Sequence, residues 1–207
     1  MTVDMHLTVR RVRANESERT RRLPGDDLIP AATGTLTHAI TIAAAPRAVW
    51  PWLVQMGAGS RSGWYSYDVL DNGRQPSATR VVTELQHIAV GTVFPALPGV
   101  TEGFILLAFE PQRSLILGWP NADGSPMVTW AFVLEPGPGE TTRLIVRARG
   151  SQDYRFHGLP AWLSKPASRL VHFIMQRKQL LGIAQRVEDA RAAPSDAACT
   201  ALREHIS

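Results

Sequence analysis

The chain has 207 residues, 44% of them hydrophobic and 19% charged, with a formal net charge of +4. That composition belongs to a globular protein and excludes a wholly disordered one. The length suits one domain with short extensions, large enough to bury a core without staples. The single cysteine, Cys199, excludes an internal disulfide and a cysteine-based zinc site, and it points to a reducing compartment, the cytoplasm.

In chain order, residues 1–22 come first. They carry Arg10, Arg11, Arg13, Arg19, Arg21 and Arg22, diluted by Asp4, Glu16 and Glu18. No apolar h-region is present, so no signal peptide is expected. No aromatic residue interleaves with the arginines to stack on bases, so this stretch reads as a flexible, solvated basic arm and not as a nucleic-acid arm. The Pro/Gly/Asp cluster LPGDDLIP closes it, and the domain proper is expected over residues 23–191.

Residues 35–44 alternate cleanly. Leu36, His38, Ile40 and Ile42 share one face of an expected half-buried strand. A helix follows from Pro46, whose fixed backbone suits a first turn, with Val49, Trp50, Leu53 and Met56 at helical spacing. The glycine-bearing loop GAGSRSG leads into WYSYDVLDN, read as a second short helix on which Trp64, Tyr67 and Asp68 share a face. Six further strands are expected at residues 79–84, 91–96, 103–110, 114–119, 127–135 and 142–149. Short turns separate several of them, so the sheet should be an antiparallel meander. Within the sheet, Trp130 and Phe132 face one side with Val128 and Leu134. Arg143, Ile145, Arg147 and Arg149 form a row that reads as a solvated face.

Residues 152–163 look irregular. A long helix is then expected from about residue 165 to 190, capped by Ser164 and opened by Pro166. Its apolar stripe is read as Leu170, Phe173, Ile174, Leu181, Ala184 and Val187, with His172 off centre. A small polar tail, residues 192–207, ends the chain. The apolar run FILLAF is far too short to span a bilayer. One strand, two helices, six strands and a long helix make an α+β protein, not a wound parallel sheet.

This order resembles the START-like superfamily, also called SRPBCC or polyketide cyclase/dehydrase and lipid-transport. The carrying phrases are THAITIAAAPRAVWPWLVQMG, GWYSYDVLDN, ELQHIAVGTVFP, VTWAFVLEP, TRLIVRAR and MQRKQLLGI. GWYSYD is similar to one bacterial subgroup of that superfamily. The resemblance implies a helix-grip fold: a seven-stranded antiparallel sheet curled around the long C-terminal helix, with a hydrophobic cavity between them. The superfamily includes binders, cyclases and dehydratases, so the fold alone selects no function.

The residues themselves narrow the chemistry. GAGSRSG follows a helix and has the wrong spacing for a dinucleotide loop. No nucleophile elbow or placed cysteine supports covalent hydrolysis. Aromatic rings with polar tips suit a cavity wall, which makes His38, Trp64, Tyr65, Tyr67, Trp119, Trp130 and Phe132 the candidate ligand-binding residues. Asp68, and Glu84 with His87, are the candidate acid/base groups, since a carboxylate can orient an imidazole. Glu84 and His87 find no further ligands at metal spacing, so neither a metal nor another cofactor is expected. Three readings stay open. One is a binding module for an apolar or aromatic small molecule. Another is a cofactor-free cyclase or dehydratase acting on a polyketide-like substrate. The third is an interaction protein with a vestigial cavity. Nucleic acid and stable membrane insertion are not expected as partners.

Overall fold

The computed structural model describes residues 11–151 and 161–192, with side chains at 11–151 and 170–192. Helix α1 spans Glu16–Thr20 and strand β1 Gly34–Ile42; helices α2 (Pro46–Val54) and α3 (Asp68–Asp71) come next. Five strands then run in sequence: β2 (Val93–Pro95), β3 (Gly103–Glu110), β4 (Ser114–Pro120), β5 (Pro126–Gly137) and β6 (Thr141–Gly150). Helix α4, Ala161–Ala192, follows. It begins ahead of the expected Ser164–Pro166 start. All strand pairs are antiparallel, in the order β1-β6-β5-β4-β3-β2.

The protein is therefore α+β, with one six-stranded antiparallel sheet and a long C-terminal helix. The expected seventh strand, residues 79–84, is absent from the sheet. That stretch is irregular and ends in a short 3-10 turn, Thr83–Leu85. A side chain replaces a neighbouring strand as its hydrogen-bond partner. Buried Gln55 donates to the Arg80 carbonyl at 3.2 Å and accepts the Val82 N–H at 2.8 Å. β-branched residues alone could not reveal that competition.

WYSYDVLDN is also mostly not helical. Only Asp68–Asp71 forms a turn of helix, and Tyr67 precedes it as the N-cap. Gly57 and Gly63 bridge each other, and Tyr65 sits at φ 58°. The loop is pinned from below, because Gly182 of α4 lets the helix approach so closely that a Cβ there would collide with the Tyr65 carbonyl oxygen.

The sheet's inner face carries the main core. Ile40 and Ile42, Leu115 and Leu117, Phe132 and Leu134, and Leu144 and Val146 pack with Leu180, Ile183, Ala184 and Val187 of α4. Truncating one fully buried ring such as Phe132 to alanine costs about 3–5 kcal/mol. The expected stripe of α4 is out of phase in its first half. Leu170, Phe173 and Ile174 are exposed, while His172, Gln176, Gln179 and Leu180 turn inward.

The outer face corrects two further expectations. Over residues 11–22 the chain is not a solvated arm, and the arginine row is not a solvated face. Ala14 and Leu23 pack with Ala39, Val133 and Ile145 in a second small core. Asn15 caps α1 in a reciprocal capping box with Glu18. Arg143 grips the Glu18 carboxylate with both arms, at 2.7 and 2.9 Å. That contact holds the Glu18 carboxyl below its ordinary range. Arg147, only 3% exposed, spends all five N–H donors. They reach Thr37 Oγ1, the Arg21 carbonyl, Asp26 Oδ2, and the Glu18 and Arg19 carbonyls, at 2.6 to 3.1 Å. At the following turn Gly25 lies at φ 88°, and a Cβ there would meet Ile116 Cγ2 at 2.9 Å. Residues 1–10 and 193–207, with the expected tail and Cys199, lie outside the described residues, as does 152–160, most of the expected irregular stretch.

Candidate functional site

The inner face changes character toward one end of the sheet. Strand pairing sets Trp130 opposite Leu117 and Ala148, Trp119 opposite Val128, and His38 opposite Val146. Successive inward positions therefore run from aliphatic to aromatic. Trp130 is the hub. Its ring lies 5.4 Å from Trp64, 5.1 Å from Phe104 and 5.0 Å from Phe132, centroid to centroid. Trp119 meets Phe104 edge-on at 5.3 Å. These offsets are the arrangements that ring quadrupoles favour. Both central indoles are anchored: Trp64 Nε1 donates to the Pro95 carbonyl at 3.1 Å, and Trp130 Nε1 to Gln176 Oε1 at 2.9 Å. Gln176 in turn donates to Gln179 Oε1 at 2.8 Å.

Two histidines close this end. His38 of β1 and His172 of α4 have ring centroids 5.6 Å apart, and His172 lies 6.5 Å from Trp130. His38 Nδ1 and His172 Nε2 are buried and have no hydrogen-bond partner among the described residues. Burial lowers both pKa values. His172 falls to about 4, through burial first and the neighbouring His38 second. Burial thus favours the neutral imidazole at both positions. Each then offers one N–H and one lone pair.

The remaining candidates are dispersed. Tyr65 is buried but faces away from the indole cluster. Its hydroxyl accepts from Gln55 at 2.9 Å, its ring meets Trp52 at 5.9 Å, and burial raises its pKa. Tyr67 is exposed. Asp68 accepts from Ser77 N and Ser77 Oγ at 3.0 and 2.5 Å, so both of its oxygens brace the loop. Glu84 and His87 are exposed, in the 3-10 turn and the loop after it, and no hydrogen bond joins them. Of the expected residues, His38, Trp64, Trp119, Trp130 and Phe132 come together.

Sequence reasoning missed His172, Gln176 and Gln179. A stripe sought by hydrophobicity skips polar members. The available signal was their spacing, since 172, 176, 179 and 183 follow one helical face. It also missed Asp71, a buried carboxylate whose oxygens have no hydrogen-bond partner among the described residues. Burial, and then the charge of Asp68, push its pKa up to about 6. Among the described residues no three His, Cys, Asp or Glu side chains converge to hold a metal, and no helix is long and apolar enough to cross a membrane.

No family model and no curated protein matches the chain. Solved structures similar to it include a protein from Mesorhizobium loti, at 16% identity over 75% of this chain and 98% of that one, with a TM-score of 0.46. Another is a polyketide-cyclase-like protein from Corynebacterium glutamicum, at 18% identity over 74% of this chain and 91% of that one, with a TM-score of 0.38. A third is a protein of the dynemicin biosynthetic locus, at 14% identity over 70% of this chain and 45% of that one, with a TM-score of 0.41. Likeness at this level decides nothing about function.

Proposed function

We propose that this chain is a helix-grip binding domain that holds an apolar or aromatic small molecule between the inner face of the sheet and α4. One observation carries the reading: two buried imidazole nitrogens, His38 Nδ1 and His172 Nε2, have no partner among the described residues and border a cluster of tryptophans. A buried polar group without a partner costs about 1–3 kcal/mol, and a bound molecule that supplies the partner recovers it. Aromatic walls add contact area with little rotamer entropy to lose.

A cofactor-free cyclase or dehydratase on a polyketide-like substrate is the second reading. The same imidazoles favour it, as groups that can exchange protons with a substrate. Asp68 and the Glu84/His87 pair support it less, because Asp68 is engaged by Ser77 and the other two are on the surface.

Native mass spectrometry of the purified protein, for co-purified small molecules, tests the binding reading. So does titration with the uncharged fluorescent probe N-phenyl-1-naphthylamine. The expected result is one probe per chain with quenched tryptophan emission, weakened about tenfold by Trp130→Ala while the fold persists. Failure of every apolar probe to bind would remove the reading.

A further inference from the structure

We propose that the His38–His172 pair makes the site selective for an aromatic ligand bearing an uncharged hydroxyl, a phenol or an enol, which bridges the two imidazoles. The proposal rests on the binding reading above and names the ligand's polar group.

The geometry comes first. The two rings come from different elements, β1 and α4, with centroids 5.6 Å apart and planes tilted by 45°. The tilt keeps the two rings from stacking face to face. His38 Nδ1 and His172 Nε2 are both buried without partners among the described residues. Their neighbours are aromatic: Phe173 lies 5.7 Å from His38, and Trp130 lies 6.5 Å from His172.

The chemistry then discriminates among ligands. Neutral imidazoles present both a donor and an acceptor. A hydroxyl also has both, so it can donate to one ring and accept from the other. A carboxylate has acceptors only and is best served by charged rings. Burial disfavours those charges, and at His172 the neighbouring His38 adds to the effect. An ammonium has donors only, and it would bring an unpaired charge beside buried, neutral groups. A methyl ether keeps the acceptor but loses the donor, leaving one imidazole unpartnered. A site built to hydrogen-bond a hydroxyl rejects the analogue that lacks it.

The test uses four probes on the full chain at pH 7, read by tryptophan quenching: 2-naphthol, 2-methoxynaphthalene, 2-naphthoate and 2-naphthylmethylammonium. We expect 2-naphthol to bind about tenfold or more tighter than each of the others. In His172→Phe, checked for folding by circular dichroism, the gap between naphthol and its methyl ether should close to about threefold or less; His38→Phe serves as the second variant. Wild-type protein that binds all four probes equally, or prefers the carboxylate or the ammonium, overturns this proposal and leaves the binding reading standing. Naphthol selectivity that survives in both variants overturns it in the same way. If none of the four probes binds, this proposal falls, and the binding reading falls with it when N-phenyl-1-naphthylamine also fails to bind.

Discussion

On the outer face of the sheet, Arg147 spends all five N–H donors on the segment that crosses it. On the inner face, His38 and His172 keep buried nitrogens with no partner among the described residues. The outer face is sealed by its own chain. Apart from Arg149 Nε, its buried arginine donors have partners, so nothing there calls for a ligand. The inner face is aliphatic beside Leu180, Ile183, Ala184 and Val187 of α4 and aromatic beside His172 and Gln176 of the same helix. Buried polarity that the chain completes is structural. Buried polarity that it leaves incomplete marks the place where something else can bind.

The comparison breaks most visibly at Arg147. Arg147→Met takes the guanidinium from the Asp26 carboxylate, which keeps the Leu23 N–H and the more distant Arg149, and removes a buried donor from the Glu18, Arg19 and Arg21 carbonyls. It should cost about 3–5 kcal/mol in urea unfolding. Removal of residues 1–22 should be destabilising for the same reason. A near-neutral result in either case would mean that the outer segment is merely draped on the sheet.

His172 gives the next effect, through pH. Its folded pKa is depressed to about 4 from an ordinary 6.5. Between those values the unfolded chain binds more protons than the folded one, so stability falls as pH drops from about 6.5 to 4. The expected loss is on the order of 2–3 kcal/mol. His172→Phe should flatten this part of the pH–stability profile while leaving stability at pH 7 equal or slightly higher.

Asp71 acts with the opposite sign. Its folded pKa is raised from 3.8 to about 6, so the folded state holds the proton more tightly. Stability from this group is lost as pH rises through that window. Asp71→Asn should therefore stabilise the protein at pH 8 by about 1–3 kcal/mol and change it little at pH 4. A destabilised variant at pH 8 would show that the carboxylate has a partner after all.

The smallest effect sharpens the contrast between surface and site. Glu84→Ala and His87→Ala should each stay within about 0.5 kcal/mol in stability, with probe binding unchanged. A loss of binding in either would move the site to the loop edge.

Much of the sheet was legible because alternation is a local signal. The alternation in residues 127–135 set Trp130, Phe132 and Leu134 on one face, and they share the inner face of the sheet. The outer clasp was not legible, because its partners lie far apart in sequence. Arg143 and Glu18 are separated by 125 residues, so each looked like an ordinary surface charge. Asn15 and Glu18 did carry a local sign of order, the capping-box spacing. Gln55 outcompeted β propensity at residues 79–84 through contacts 25 and 27 residues away. The site was half legible. Trp119 and Trp130 showed through strand periodicity, whereas Trp64 was read on a helix that the chain does not form there. His172 and Gln176 were hidden because inward polar residues break the very pattern used to find the inward face of a helix.

The most direct test follows the indole N–H signals of the protein by nitrogen–proton NMR, assigned by single Trp→Phe variants, during titration with 2-naphthol. The chain has six tryptophans, and five have described side chains on three different surroundings. Trp50 stacks on Phe109 and Trp52 abuts Tyr65, both away from the histidine pair. Trp64, Trp119 and Trp130 belong to the aromatic cluster. The account predicts saturable shifts at Trp64, Trp119 and Trp130, with Trp50 and Trp52 unmoved. Shifts confined to Trp50 or Trp52, or no saturable shift at any indole, would contradict it.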